Sequence, residues 1–183
     1  MTIDPRIRAI IDGVIAKEGG YVNDSRDLGG ETNWGITVAV ARANGWTGKM
    51  RDLPREKAFD IYYRQYVVQP GFDRIAELDA AVAAECIDTG VNMGPAWGGI
   101  FLQRSLNALN NQGKLYRDIA VDGKVGPGTR GALAAYLKHR GAEGSRVLVR
   151  AMNCLQGERY IDLSEKRQAN EAFTYGWLRE RVS

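Results

Sequence analysis

Amphipathic helical stretches recur from one end of the chain to the other, most of them opened by a capping residue or proline and closed by glycine or proline. The first is the clearest. Asp4 followed by Pro5 supplies an N-cap and a first helical position, and Ile7, Ile10, Ile11, Val14 and Ile15 then follow the i, i+3, i+4, i+7, i+8 spacing of one apolar face. Gly19–Gly20 stops it, and YVNDSRDLGGETNWGIT, over 21–37, reads as a loop or short irregular hairpin. Thr37 caps a short helix through VAVARAN to Gly45. Leu53–Pro54 opens a longer one through REKAFDIYYRQY, which Pro70–Gly71 ends. The Ala-rich LDAAVAAECIDTGVNM predicts a buried helix over 78–93, and Gly94–Pro95 divides the chain into 1–94 and 95–183. Helices over 96–110, 128–139, 145–161 and 170–182 complete the series. With no β-rich segment, the expected fold is mainly α, with one short hairpin after the first helix and two halves about a cleft.

Composition narrows the function only by exclusion. The formal charge of +3 favours an anionic partner, be it nucleic acid, lipid surface or bacterial wall. Arginines scattered from Arg6 to Arg181 among nearly as many carboxylates form no nucleic-acid stripe, so no nucleic-acid partner is expected. No run of ~18 apolar residues suggests stable membrane insertion. The opening MTIDPRIRAIIDG lacks the apolar region and cleavage site of an export signal. Cys86 and Cys154, far apart in apolar surroundings, read as buried thiols of a reduced compartment, with a single bridge as the alternative. A monomer is the default.

Glu18 is the residue most suited to chemistry. It closes an amphipathic helix, two glycines follow it at once, and a polar loop with further acids faces it. A carboxylate there meets the negative end of the helix dipole, and apolar walls add desolvation; both raise its pKa, as a general acid requires. Glycosidic cleavage needs such an acid and a second group to position water or stabilise the cationic sugar. Asp27 suits that second role, with Asp24 and Glu31 as rivals, and the Thr32 hydroxyl can hold a water. Taken alone, Glu18 reads equally well as a solvated helix-end acid, and Asp27 and Thr32 read better as turn caps.

Other hydrolytic chemistries fit poorly. A zinc amidase needs two or three histidines and the chain has only His139, so neither metal nor organic cofactor is expected. Neither cysteine stands at a Gly-rich helix start that would activate it toward His139. No GxSxG elbow, P-loop or dinucleotide fingerprint occurs.

Glu18-Gly19-Gly20-Tyr21, then Asn23-Asp24, Asp27, Gly29-Gly30, Thr32 and Gly35-Ile36-Thr37, resemble the signature of glycoside hydrolase family 108, which contains bacteriophage endolysins and related bacterial N-acetylmuramidases. The Glu18, Asp27, Thr32 spacing is also similar to the Glu, Asp, Thr triad of phage lysozymes. The resemblance implies a lysozyme-like fold, with Glu18 as general acid and Asp27 and Thr32 managing the water, on the β-1,4 bond between N-acetylmuramic acid and N-acetylglucosamine. It further implies a protein made in the host bacterial cytoplasm and admitted to the wall by a holin. A lytic transglycosylase and a non-catalytic wall-binding or secretion-assisting protein are the alternatives. Ser25 departs from the pattern, which commonly has proline there and so a stiffer loop.

In the second half, Asn92-Met93-Gly94-Pro95, Leu102-Gln103, Val121-Asp122-Gly123, Val125-Gly126-Pro127 and Thr129 resemble the predicted peptidoglycan-binding region that usually follows this domain. The shorter reading of that last run is a tight turn and a proline-initiated helix. Tyr21 and Trp34, which flank the glycine turns, and the backbone at Gly29 and Gly30 are the candidate sugar contacts, with Trp46 behind them. Tyr62, Tyr63 and Tyr66 read as packing residues of one helix, and Trp97 and Trp177 as core.

Overall fold

The structure is a computed structural model that describes residues 3–23 and 31–182. The described residues are mainly helical with one small antiparallel hairpin, as expected, and form two compact units, Met1–Gln69 and Pro70–Ser183. The boundary read at Gly94–Pro95 lies inside the second unit, between two successive helices.

In the first unit, α1 (Pro5–Glu18) begins where the sequence places it. Asp4 accepts a hydrogen bond from the Arg6 amide at 2.9 Å, and Gly19, at φ 77°, ends the helix in a conformation that suits glycine. Of the five apolar positions, Ile7, Ile11 and Ile15 are buried, so the stripe is a narrow i, i+4, i+8 row. It packs against α3 (Arg55–Tyr63), and an Arg55–Asp12 ion pair at 2.8 Å and the Arg8 guanidinium 4.4 Å above the Phe59 ring hold the same two helices together. Between them lie β1 (Thr32–Asn33), β2 (Ile36–Thr37) and α2 (Val38–Ala43), whose N-cap Thr37 accepts from the Val40 amide. A single 3-10 turn, Met50–Asp52, precedes α3, which runs on into a π-helical turn, Arg64–Val68.

The second unit opens with α4 (Phe72–Ala76), a short helix that the sequence reading missed, because the Pro70–Gly71 stop conceals a restart on Phe72 and Ile75, both buried. α5 (Ala80–Met93) is capped by Asp79, which accepts from the Ala81 and Val82 amides at 2.9 and 3.0 Å. α6 (Pro95–Leu109) crosses it closely: a Cβ on Gly98 would lie 2.2 Å from the Cys86 carbonyl oxygen, so only glycine fits. The two helices expected over 128–139 and 145–161 are the two arms of α7 (Pro127–Lys166), separated at Gly141, where φ is 60° and ψ −153°, outside the helical region. The Tyr136 hydroxyl donates to the Gly144 carbonyl at 3.0 Å and spans the break. α8 (Glu171–Arg181) packs on α7, with Tyr160 stacked on Trp177 and Arg181 paired to Asp88 of α5. Cys86 is buried, whereas Cys154 is exposed, contrary to the reading of two buried thiols, because it falls on the outer face of α7.

Beside that ion pair, burial and then the neighbouring Asp88 charge push Glu85 up from 4.5 to about 7. The folded form therefore favours protonated Glu85. That stabilisation is complete below 4.5 and is lost as pH rises through about 7, amounting to on the order of 2–3 kcal/mol. Glu85→Gln should unfold in urea like the parent at pH 4 and be more stable than the parent at pH 8. Curves that superimpose at both pH values would contradict this.

Candidate active site

The site is built where the end of α1 meets the hairpin. Thr32 pairs with Thr37 and Asn33 with Ile36, leaving Trp34 and Gly35 as a two-residue turn with φ of 54° and 73°. Both angles are positive, as in a type I′ turn, whose twist matches the hairpin. A left-handed conformation is unusual for a residue as bulky as tryptophan, and it persists only where the surroundings impose it. Here three bonds do so. The Trp34 indole N–H donates to the Leu53 carbonyl at 3.0 Å, and the Trp34 carbonyl accepts from the Tyr62 hydroxyl at 3.0 Å. The buried Asn33 amide donates to the Met50 carbonyl at 2.8 Å.

Gly35 then brings backbone against the acid. A Cβ at this position would lie 2.7 and 2.8 Å from Cβ and Cγ of Glu18 and 2.6 Å from the Tyr62 hydroxyl oxygen, so glycine is required by both φ and space. This is the physical content of the Gly35-Ile36-Thr37 run. Glu18 itself is exposed; Gly35 flanks the stem of its side chain, with the Tyr62 hydroxyl against the same glycine. Burial, followed by the Glu18 charge, pushes Tyr62 up to about 12, so its hydroxyl stays a proton donor to the turn at any working pH.

Thr32 lies beside the segment that follows α1: Val22 and Thr32 exchange both backbone hydrogen bonds at 2.9 Å as an isolated bridge. Glu18 and Thr32 are thus parts of one small framework. Tyr21 is half-buried with the Arg51 guanidinium 5.0 Å from its ring centre, and Trp34 is half-buried and held by the turn. Asp27, Gly29 and Gly30, with Asp24, lie outside the described residues. Tyr62 and Asn33 were missed as site-building residues. Tyr62 acts across 28 positions that no local spacing reports. Asn33 had a usable signal, an amide inside the motif that turns out to be buried.

Tyr62→Phe should cost about 1 kcal/mol of stability, the ordinary worth of one hydrogen bond, and lower turnover about tenfold with little change in KM, since the turn it anchors abuts Glu18. Steady-state kinetics on soluble wall fragments check this. Unchanged turnover would remove Tyr62 from the site.

In the second unit, the run from Val121 to Thr129 is a structural clamp. Gln103 of α6 is 1% exposed; its amide nitrogen donates to Asp122 Oδ1, the Lys124 carbonyl and Thr129 Oγ1 at 3.0 to 3.1 Å. Its oxygen accepts from the Asp122 and Gly123 amides at 3.1 and 2.8 Å. The Lys124 amide, then Gln103, hold the Asp122 carboxyl below its usual range. One turn and two turns along α6, Asn107 exchanges two bonds with Ile119, and Asn110 accepts from the Gly113 amide, so a row of amides fastens the irregular segment to one helix face.

Comparison with known proteins finds two family models that match the chain. The description "Glycosyl hydrolase 108" matches residues 11–94, and "Predicted Peptidoglycan domain" matches residues 98–182. The chain is a glycoside hydrolase that degrades peptidoglycan. Residues 11–94 form a glycosyl hydrolase family 108 domain, and a peptidoglycan domain follows it. The structure of Brucella abortus SagA is similar at 24% identity, with 92% of this chain and 95% of that chain covered and a TM-score of 0.47. No curated protein matches the chain.

Proposed function

We propose that the protein is a muramidase of the endolysin kind, which hydrolyses the β-1,4 bond between N-acetylmuramic acid and N-acetylglucosamine. The observation that carries the reading is the approach of Gly35 to Glu18, which fixes an accessible carboxyl at the end of α1 beside a rigid turn. Glu18 gives its proton to the departing glycosidic oxygen. Asp27, aided by the Thr32 hydroxyl, orients the attacking water or stabilises the cationic sugar. In this reading the enzyme works as a monomer, is made in the host bacterial cytoplasm, and reaches the wall through a holin during bacteriophage lysis.

Borohydride reduction of digested wall, followed by amino-sugar analysis, tests the bond. Muramitol is expected. Glucosaminitol would move cleavage to the other β-1,4 bond, and 1,6-anhydromuramic ends would replace hydrolysis by a transglycosylase reaction.

A further inference from the structure

The clamp around Gln103 has a consequence for the peptidoglycan domain. Main-chain and side-chain groups of Asp122, Gly123, Lys124 and Thr129 bond to Gln103 or to one another, which suits them to holding a loop more than a ligand. The other run singled out in the sequence, Asn92-Met93-Gly94-Pro95, is arranged differently. Gly94, at φ 97°, turns the chain between α5 and α6, so that Asn92 and Met93 at the end of one helix stand with Trp97 in the first turn of the next. With Arg159 and Tyr160 of α7 and Trp177 of α8 they line a cavity of about 250 Å³. That volume suits a single sugar-sized group better than a long chain segment.

The lining is chemically specific. The Arg159 guanidinium carbon sits 4.4 Å from the centre of the Trp97 ring, and Nη1 bonds Asp162 Oδ2 at 2.8 Å, so the fork is oriented from two sides while further N–H donors remain. An oriented arginine fork is suited to a carboxylate. The Asn92 amide nitrogen is tied to Asp88 at 2.7 and 3.2 Å, which orients the side chain and keeps its carbonyl end as an acceptor for an amide N–H. Trp177, stacked between Tyr160 and the exposed Phe173 at 5.1 and 5.9 Å, gives the apolar wall that a sugar ring or acetyl methyl requires.

We propose that this cavity is the peptidoglycan domain's own binding site, and that it takes the N-acetylated, carboxylate-bearing amino-sugar unit of wall whose stem peptide has been removed: acetamido group on Asn92, free lactyl carboxylate on Arg159, apolar edge against Trp97 and Trp177. The proposal rests on the reading of the wall as substrate. It corrects the expectation that Trp97 and Trp177 are core, since both are only half-buried and line this cavity.

The test uses the full chain carrying Glu18→Gln, so that wall is not consumed, with N-acetylmuramic acid titrated by calorimetry and N-acetylglucosamine as the carboxylate-free comparison. N-acetylmuramic acid should bind at least tenfold more tightly than N-acetylglucosamine. Arg159→Gln should weaken it at least tenfold, and Asn92→Ala, at an exposed helix end where folding is little affected, several-fold. Equal affinity for the two ligands, or N-acetylmuramic acid binding untouched by either substitution, would overturn the proposal. Co-sedimentation with purified sacculi whose stem peptides have been removed by an amidase separates the two levels. If Glu18→Gln pellets with the wall and adding Arg159→Gln and Asn92→Ala changes nothing, the cavity is not the site while the wall reading stands. If the unmodified chain neither pellets with nor cleaves sacculi, that reading falls and the proposal with it.

Discussion

Glu18→Gln will lower the rate of wall lysis by at least about 100-fold while leaving the protein folded. The substitution keeps the size and the polar end of the side chain, so the packing of its Cβ and Cγ on Gly35 is retained. What it removes is the proton that the leaving oxygen needs, a loss that general-acid catalysis translates into two to four orders of magnitude. Stability should not fall. Glu18 is exposed and ends α1, where a negative charge faces the negative end of the helix dipole, so neutralising it is neutral or slightly favourable. Turbidity clearing of wall suspensions and circular dichroism on the same samples check both halves. A folded variant with near-parental lysis would take Glu18 out of the mechanism.

The second large effect lies in the peptidoglycan domain and is one of stability. Gln103→Leu keeps the volume of a buried side chain but removes its five hydrogen bonds, leaving the Asp122 and Gly123 amides and the Thr129 hydroxyl without that partner. Some of those groups lie near the surface and find water, so the loss is less than the sum of five bonds. About 2–4 kcal/mol is expected, or a fall of roughly 10 °C in the unfolding midpoint of that unit. Gln103→Glu should be at least as damaging, because it sets a second carboxylate against Asp122. Thermal unfolding followed by calorimetry reads this. An unchanged midpoint for Gln103→Leu would mean that the loop holds itself without the clamp.

Much of the fold was legible because it is written in local punctuation. Asp4–Pro5, Thr37 and Gly94–Pro95 begin or end helices where capping and proline chemistry place them. The misses share a cause in tertiary contacts. α4 is too short to show a period. The break at Gly141, by contrast, falls between 128–139 and 145–161, where a Gly-rich turn was expected. Trp97 and Trp177 have the composition of core residues and are left half-buried because α7 and α8 leave a cavity between them and the start of α6.

The site shows the same division. Glu18 was singled out from its place at a helix end before two glycines, a local signal. The reason for Gly35 and the role of Tyr62 were not, because they depend on a hydroxyl from α3 and a carboxylate from α1 meeting at one turn. The motif is therefore as much a description of how close the hairpin comes to the acid as of the reacting groups.

The central claim, a wall hydrolase with Glu18 as its acid, is tested most directly by mass spectrometry of the fragments that the parent and Glu18→Gln release from purified peptidoglycan. The account predicts parent fragments ending in reducing N-acetylmuramic acid, one water heavier than their anhydro counterparts, and a near absence of any fragments from the variant. Reducing fragments in equal yield from both proteins, with the variant shown to be folded, would contradict it.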